Sequence, residues 1–216
     1  MRKPPQFSEQ ECRDFANAAD PHQWLLTADS LHEQAVSLYR RRRENGVLTR
    51  RDSDNHAVTW DNTNRATFLL SAFALENAIK AFLVYEHPEW VADGYLHAEV
   101  CSHRLVALSE RSSLIPYRDR DRWVLAAFEE GNQSWMRYPC GRHADDTEAE
   151  RNMPERLWAG YLRVMKGYGA KLTRLLGKGW VGPHGSGGGR WEMHGVWLGS
   201  GTPLPPGFRP PAIGSR

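Results

Sequence analysis

Apolar residues recur every three to four positions through most of this chain, a period that predicts helices rather than strands. From about Pro21 to Arg42, Leu25, Leu26, Leu31, Ala35, Leu38 and Tyr39 form one buried stripe. Asp20 suits an N-cap and Pro21 the first helical position. Arg40, Arg41, Arg42 and Arg43 place cations at the negative end of the helix dipole, and Asn45-Gly46 reads as the stop. The polar stretch from there to Trp60 is expected to be a loop. Asn64 to Glu86, NRATFLLSAFALENAIKAFLVYE, is apolar on nearly every side, as a helix at the centre of a bundle should be. His87-Pro88 ends it. A shorter helix follows, with Ser102 as its expected cap and Leu105, Val106 and Leu108 turned inward. Asp119 to Trp135 predicts the next, led by acidic residues and carrying Trp123, Leu125, Ala126 and Phe128. The acidic run Asp145, Asp146, Glu148 and Glu150 is expected to open the last helix. Its stripe is Leu157, Tyr161, Val164, Met165, Tyr168, Leu172 and Leu175. No run shows the β-branched alternation of a sheet.

These elements predict an all-α, up-and-down helical bundle of about five helices over residues 20–176, with residues 1–19 as an N-terminal extension. Residues 177–216 have another character: Gly and Pro dominate, with Trp180, Trp191, Trp197 and Phe208 scattered among them. Such a segment buries too little apolar surface to offset its ordering entropy, so a flexible tail with transient docking is expected.

A net charge of +2 excludes the global field of a general nucleic-acid or membrane-surface binder. Cys12, Cys101 and Cys140 are odd in number and widely spaced, which argues against a disulfide framework and for reduced thiols. The N-terminal residues lack the apolar stretch of a signal peptide. Phe68 to Tyr85 is interrupted by Glu76, Asn77 and Lys80, a poor membrane span, so a cytoplasmic protein without membrane partners is expected. The Gly-rich tail lacks the Lys-Ser or Lys-Thr ending of a phosphate loop. Cys101-x-His103 and Cys140-x2-His143 offer zinc-type ligands without zinc-finger spacing, so neither a metal nor a cofactor is expected. The arginines from Arg40 to Arg43, with Arg50 and Arg51, could contact phosphates or simply be a solvated helix end.

The chemistry centres on helix residues Glu76, Asn77 and Lys80. Glu76 lies four residues ahead of Lys80, the favourable order for an ion pair, and the apolar surroundings demand that both charges find partners. One reading is a salt bridge that fixes helix register; the other is a polar pocket able to position a phosphate or a histidine.

Three pieces in order, Ala74 to Ala81 (A-L-E-x-x-x-K-A), His103 to Leu108 (H-x-L-x-x-L) and the tryptophan and R-Y-P element Trp135 to Pro139, resemble the HEPN superfamily of helical-bundle proteins. The resemblance spans roughly the central two thirds of the chain and implies a bundle that dimerises. It also implies metal-independent RNA cleavage by an R-x(4–6)-H pair, here Arg137 and His143, with Glu76 and Lys80 as the positioning pair. Asn77, Tyr138 and His103 complete the candidate set. An imidazole can take the proton from a 2′-OH while an arginine holds the phosphate, so no metal is required. The implied function is an endoribonuclease of toxin or phage-defence type, with RNA as target, a homodimer as assembly and an antitoxin or defence protein as partner. The alternative is a catalytically silent HEPN-like module for dimerisation and for nucleotide, RNA or partner-protein binding. Tyr138 follows the arginine where active members commonly carry a polar residue, and Pro139 and Gly141 favour a turn. On that alternative Arg137 pairs with Glu76 and His143 is a solvent-facing loop residue.

Overall fold

The computed structural model describes residues 6–42, 47–116, 118–138, 143–145, 152–187, 195–198 and 200–202. Helices dominate them, in the all-α bundle expected: α1 (Glu9–Ala18), α2 (Pro21–Arg40), α3 (Asn64–Glu86), α4 (Leu105–Glu110), α5 (Arg118–Gln133) and α6 (Glu155–Leu176). Helix α3 is the hub, packed against α2, α4, α5 and α6. Of its apolar positions Ala72, Leu75, Ile79 and Phe82 are completely buried. Among the described residues α3 is the one helix long and apolar enough to cross a membrane by composition, and most of it is buried inside the bundle, as in a core helix.

Local chemistry sets the helix ends. Asp20 caps α2 by accepting from the Gln23 N–H at 2.8 Å, with Pro21 in the first turn. The stripe of α2 buries Leu25, Ala28, Ala35 and Tyr39, whereas Leu26 is exposed, contrary to expectation. In α6, Tyr161 and Tyr168 are fully buried, and Trp158 stacks on Tyr39 with centroids 3.9 Å apart, tying α6 to α2. Gly160 lets α5 approach: a Cβ there would lie 2.8 Å from Val124 Cγ2. In α5, Val124, Leu125 and Phe128 face the core, but Trp123 and Ala126 are exposed.

Four regions add to these expectations or depart from them. The supposed loop before α3 holds an antiparallel hairpin, β1 (Val47–Arg51) and β2 (Ala57–Asp61), with Thr49 opposite Thr59. Its turn is built by Asp52, whose carboxylate accepts from the Asp54 and His56 N–H groups, and by Asn55 at φ 64°. The N-terminal extension contains α1, started by a capping box in which Ser8 and Glu11 exchange hydrogen bonds. The acidic run lies ahead of α6 rather than in its first turn, which holds Glu155 behind the N-cap Pro154; residues 146–151 lie outside those described. The segment from Gly177 is packed on the bundle as far as Gly187. Trp180 is 4% exposed in a second small core with Ala16, Ala19, Val84, Val91 and Val100. Further on, β3 (Gly195–Trp197) and β4 (Ser200–Thr202) pair, Leu198 is buried, and its N–H donates to Asp29 at 2.7 Å. Trp191 and Phe208 lie outside the described residues.

Candidate functional site

Positions 73, 76, 77 and 80 fall at i, i+3, i+4 and i+7, so Phe73, Glu76, Asn77 and Lys80 share one strip of α3. The Glu76 and Lys80 side chains are each 6% exposed and meet at 2.7 Å. Removing two charges from water at that depth requires further partners, and both find them. Lys80 Nζ lies 5.5 Å from the centroid of Trp24, whose indole N–H is held by the Ala19 carbonyl at 3.0 Å. Glu76 receives His103, with Nδ1 3.0 and 3.1 Å from its two oxygens. The carboxylate only accepts, so Nδ1 carries the proton and Nε2 is the basic nitrogen of the neutral ring. The imidazole is 55% exposed, and Nε2 has no partner among the described residues.

His103 is placed by its loop. Ser102 does not serve as the N-cap of α4, a position taken by Arg104; its hydroxyl instead accepts from the Arg104 N–H at 3.2 Å. The cap acceptor comes from α5, where Glu129 accepts from the Val106 N–H at 2.9 Å. The imidazole is thus braced by α5 through α4 and by α3 through Glu76.

The remaining candidates divide. Asn77 turns onto its own helix, donating to the Phe73 carbonyl at 2.7 Å, and leaves the ion pair alone. Arg137 does not pair with Glu76, whose side-chain partners are Lys80 and His103. It sits exposed one turn away, its guanidinium 6.0 Å from the Phe73 centroid. Tyr138 is 59% exposed. The bend that carries them is anchored by buried Trp135 and Met136 and by the Gly131 carbonyl, which accepts from the Ser134 and Met136 N–H groups. Gly131 lacks the Cβ that would collide with the end of Met136. His143 is exposed at a bend; Pro139, Cys140, Gly141 and Arg142 lie outside the described residues, and no contact joins His143 to Glu76 or Lys80. Among the described residues no group of three or more His, Cys, Asp or Glu could hold a metal. Cys101 Sγ points to the Leu96 carbonyl at 3.8 Å.

Sequence reasoning ranked His103 as a supporting residue, yet the structure gives it the one carboxylate–imidazole dyad in the strip. The Glu76 to His103 separation carries no periodic signal, and with His87 and His97 lying between them along the chain nothing in the sequence singles out His103 as the partner. Other buried titratable groups lie elsewhere. Burial lowers the His22 imidazole to about 4, and lowers that of His32, which meets the Tyr161 hydroxyl at 2.8 Å. Burial would raise the Asp121 carboxyl, but hydrogen bonds and charge from Arg120 and Arg163 outweigh it and hold the group below its usual range.

Compared with protein-family models, with curated proteins and with solved structures, the chain matches none.

Proposed function

We propose that this chain is a HEPN-like, metal-independent endoribonuclease in which His103 is the general base. The observation that carries the reading is the Glu76–His103 dyad: a buried carboxylate fixes one ring nitrogen and leaves the other facing solvent. That is the arrangement by which a carboxylate orients a catalytic imidazole and stabilises it once protonated. In the proposed step His103 Nε2 takes the proton of a ribose 2′-OH, and the 2′-oxygen attacks the adjacent phosphorus. Arg137, which lies over Phe73 of that strip, holds the phosphate oxygens as charge builds on them. The P–O5′ bond breaks, and the departing oxygen takes a proton from His143, the residue the HEPN resemblance assigns to proton transfer. The products are a 2′,3′-cyclic phosphate and a 5′-OH. The same resemblance carries a homodimer and a dedicated partner protein of toxin or defence type.

The test is cleavage of a single-stranded RNA pool in EDTA, with product ends identified by mass spectrometry. His103→Ala should lower the rate about 10²- to 10⁴-fold, the usual loss for a general base. Since the ring is half exposed, the variant should stay folded. Equal rates in the parent and His103→Ala would refute the assignment. A folded parent that turns over no RNA would leave the silent module, in which the same pair only fixes the register of α3.

A further inference from the structure

We infer that a second cavity, of about 370 Å³, is a receptor for one unstacked nucleobase together with its phosphate. The inference deepens the reading above and rests on it for the choice of nucleic acid as ligand. Phe68, Trp123 and Trp135 supply three aromatic rings to its walls, and Arg156 stands at the mouth. The volume is at the small end of ligand cavities, suited to one flat ring system rather than a drug-sized molecule. The back wall is stiff: Trp135 is 3% exposed and meets Phe68 edge-on at 4.7 Å. The front wall is Trp123, 38% exposed, with the Arg156 guanidinium over one face of its ring. Stacking on aromatic rings is how proteins hold single-stranded nucleic acid, because every base has a π-face.

Charge narrows the occupant further. The Arg156 guanidinium lies 5.1 Å from the Trp123 centroid and forms no ion pair among the described residues, so its donors can turn to a phosphate. The first turn of α6, whose N-cap Pro154 offers no side-chain acceptor, adds amide donors at this mouth. Trp135 and Arg137 are two residues apart on one bend, so a strand seated on Trp135 passes at once to the arginine of the proposed cleavage site. Phe68 precedes Glu76 by eight residues, about 12 Å along α3.

The test measures binding, not cleavage, in the His103→Ala background, so that the cavity and the cleavage reading can fail separately. Anisotropy of a labelled A-rich RNA hexamer is titrated with the parent, Trp123→Ala, Trp123→Phe and Arg156→Gln, and AMP is titrated in parallel by calorimetry. Trp123→Ala should weaken binding about tenfold or more, and Trp123→Phe should retain most of it. Arg156→Gln should weaken binding and reduce the salt slope by about one counterion. If AMP responds to these substitutions and the RNA does not, the cavity takes a free nucleotide and its link to the strand is refuted. Unchanged binding of both ligands in Trp123→Ala and Arg156→Gln would overturn the inference, whatever His103 does to cleavage.

Discussion

Replacing Lys80 by methionine keeps the length of the side chain and deletes its charge, leaving the Glu76 carboxylate buried with the His103 ring as its remaining partner. Breaking a buried pair from one side costs about 3–5 kcal/mol, and the surviving His103 contact argues for the lower end, about 3 kcal/mol. In a chain of 216 residues each kcal/mol moves the melting point by roughly 2–4 °C, so Lys80→Met should melt about 6–12 °C below the parent. Urea unfolding followed by far-ultraviolet circular dichroism should show the midpoint falling with the slope unchanged, the mark of lost stability rather than altered compactness. The double variant Glu76→Leu/Lys80→Met removes both charges and should recover most of the loss, because an apolar pair of similar volume does as well as a buried salt bridge. If Lys80→Met stays within about 0.5 kcal/mol of the parent, the size of an ordinary surface substitution, the charges are not buried as described.

Three more expectations follow from other residues. His22 is 2% exposed and its folded pKa falls to about 4 from 6.5, so between those values the unfolded chain binds more protons. Stability should therefore drop as pH falls through that window, by about 3 kcal/mol from this group, and His22→Asn should flatten the limb. The carboxyls of Asp20 and Asp29, raised by burial, act in the opposite sense at its acid end, so the difference between parent and variant is the quantity to plot. Gly160→Ala should lower stability by about 1–3 kcal/mol in thermal melts despite alanine's better helix propensity, because its Cβ would meet Val124 at 2.8 Å and Trp123 at 3.0 Å. Trp180→Ala should cost about 3–5 kcal/mol in chemical unfolding; no change would mean that the segment after α6 contributes nothing to the fold.

What could be read from the sequence was what short-range chemistry determines. The Asp20-Pro21 start of α2 and the His87-Pro88 end of α3 follow from residues within a turn of each boundary, and the pairing of Glu76 with Lys80 follows from helical spacing. The hairpin escaped because its strands are short and polar and its turn is held by side chains, Asp52 above all, rather than by an Asn-Gly signature. The capping box at Ser8 and Glu11 was a local signal, but it heads a ten-residue helix with only Cys12 and Ala16 buried, too thin a stripe to mark by period. Trp180 gave no warning because its partners come from α1, α3 and the turn after it. At the site the acid and the amine were legible, whereas the third member, His103, depends on a loop held through Glu129, a contact 23 residues from Val106. Arg137 was placed correctly near this strip of α3 but on the wrong neighbour: it lies over an aromatic ring, not against the carboxylate.

The small core around Trp180 is assembled from α1, the turn Pro88–Val91 and the segment at Pro183–Gly185, stitched by Gly187 N–H to Asn17 and by His184 to the Ala92 carbonyl. None of these pieces can leave without stripping apolar contact from the others and from Val84 of α3, so they should open together as one unit on the side of the bundle. Amide protons in α1 should exchange in step with those around Trp180 and ahead of those in α3. A protease that gains entry at either stretch does so through the same opening event.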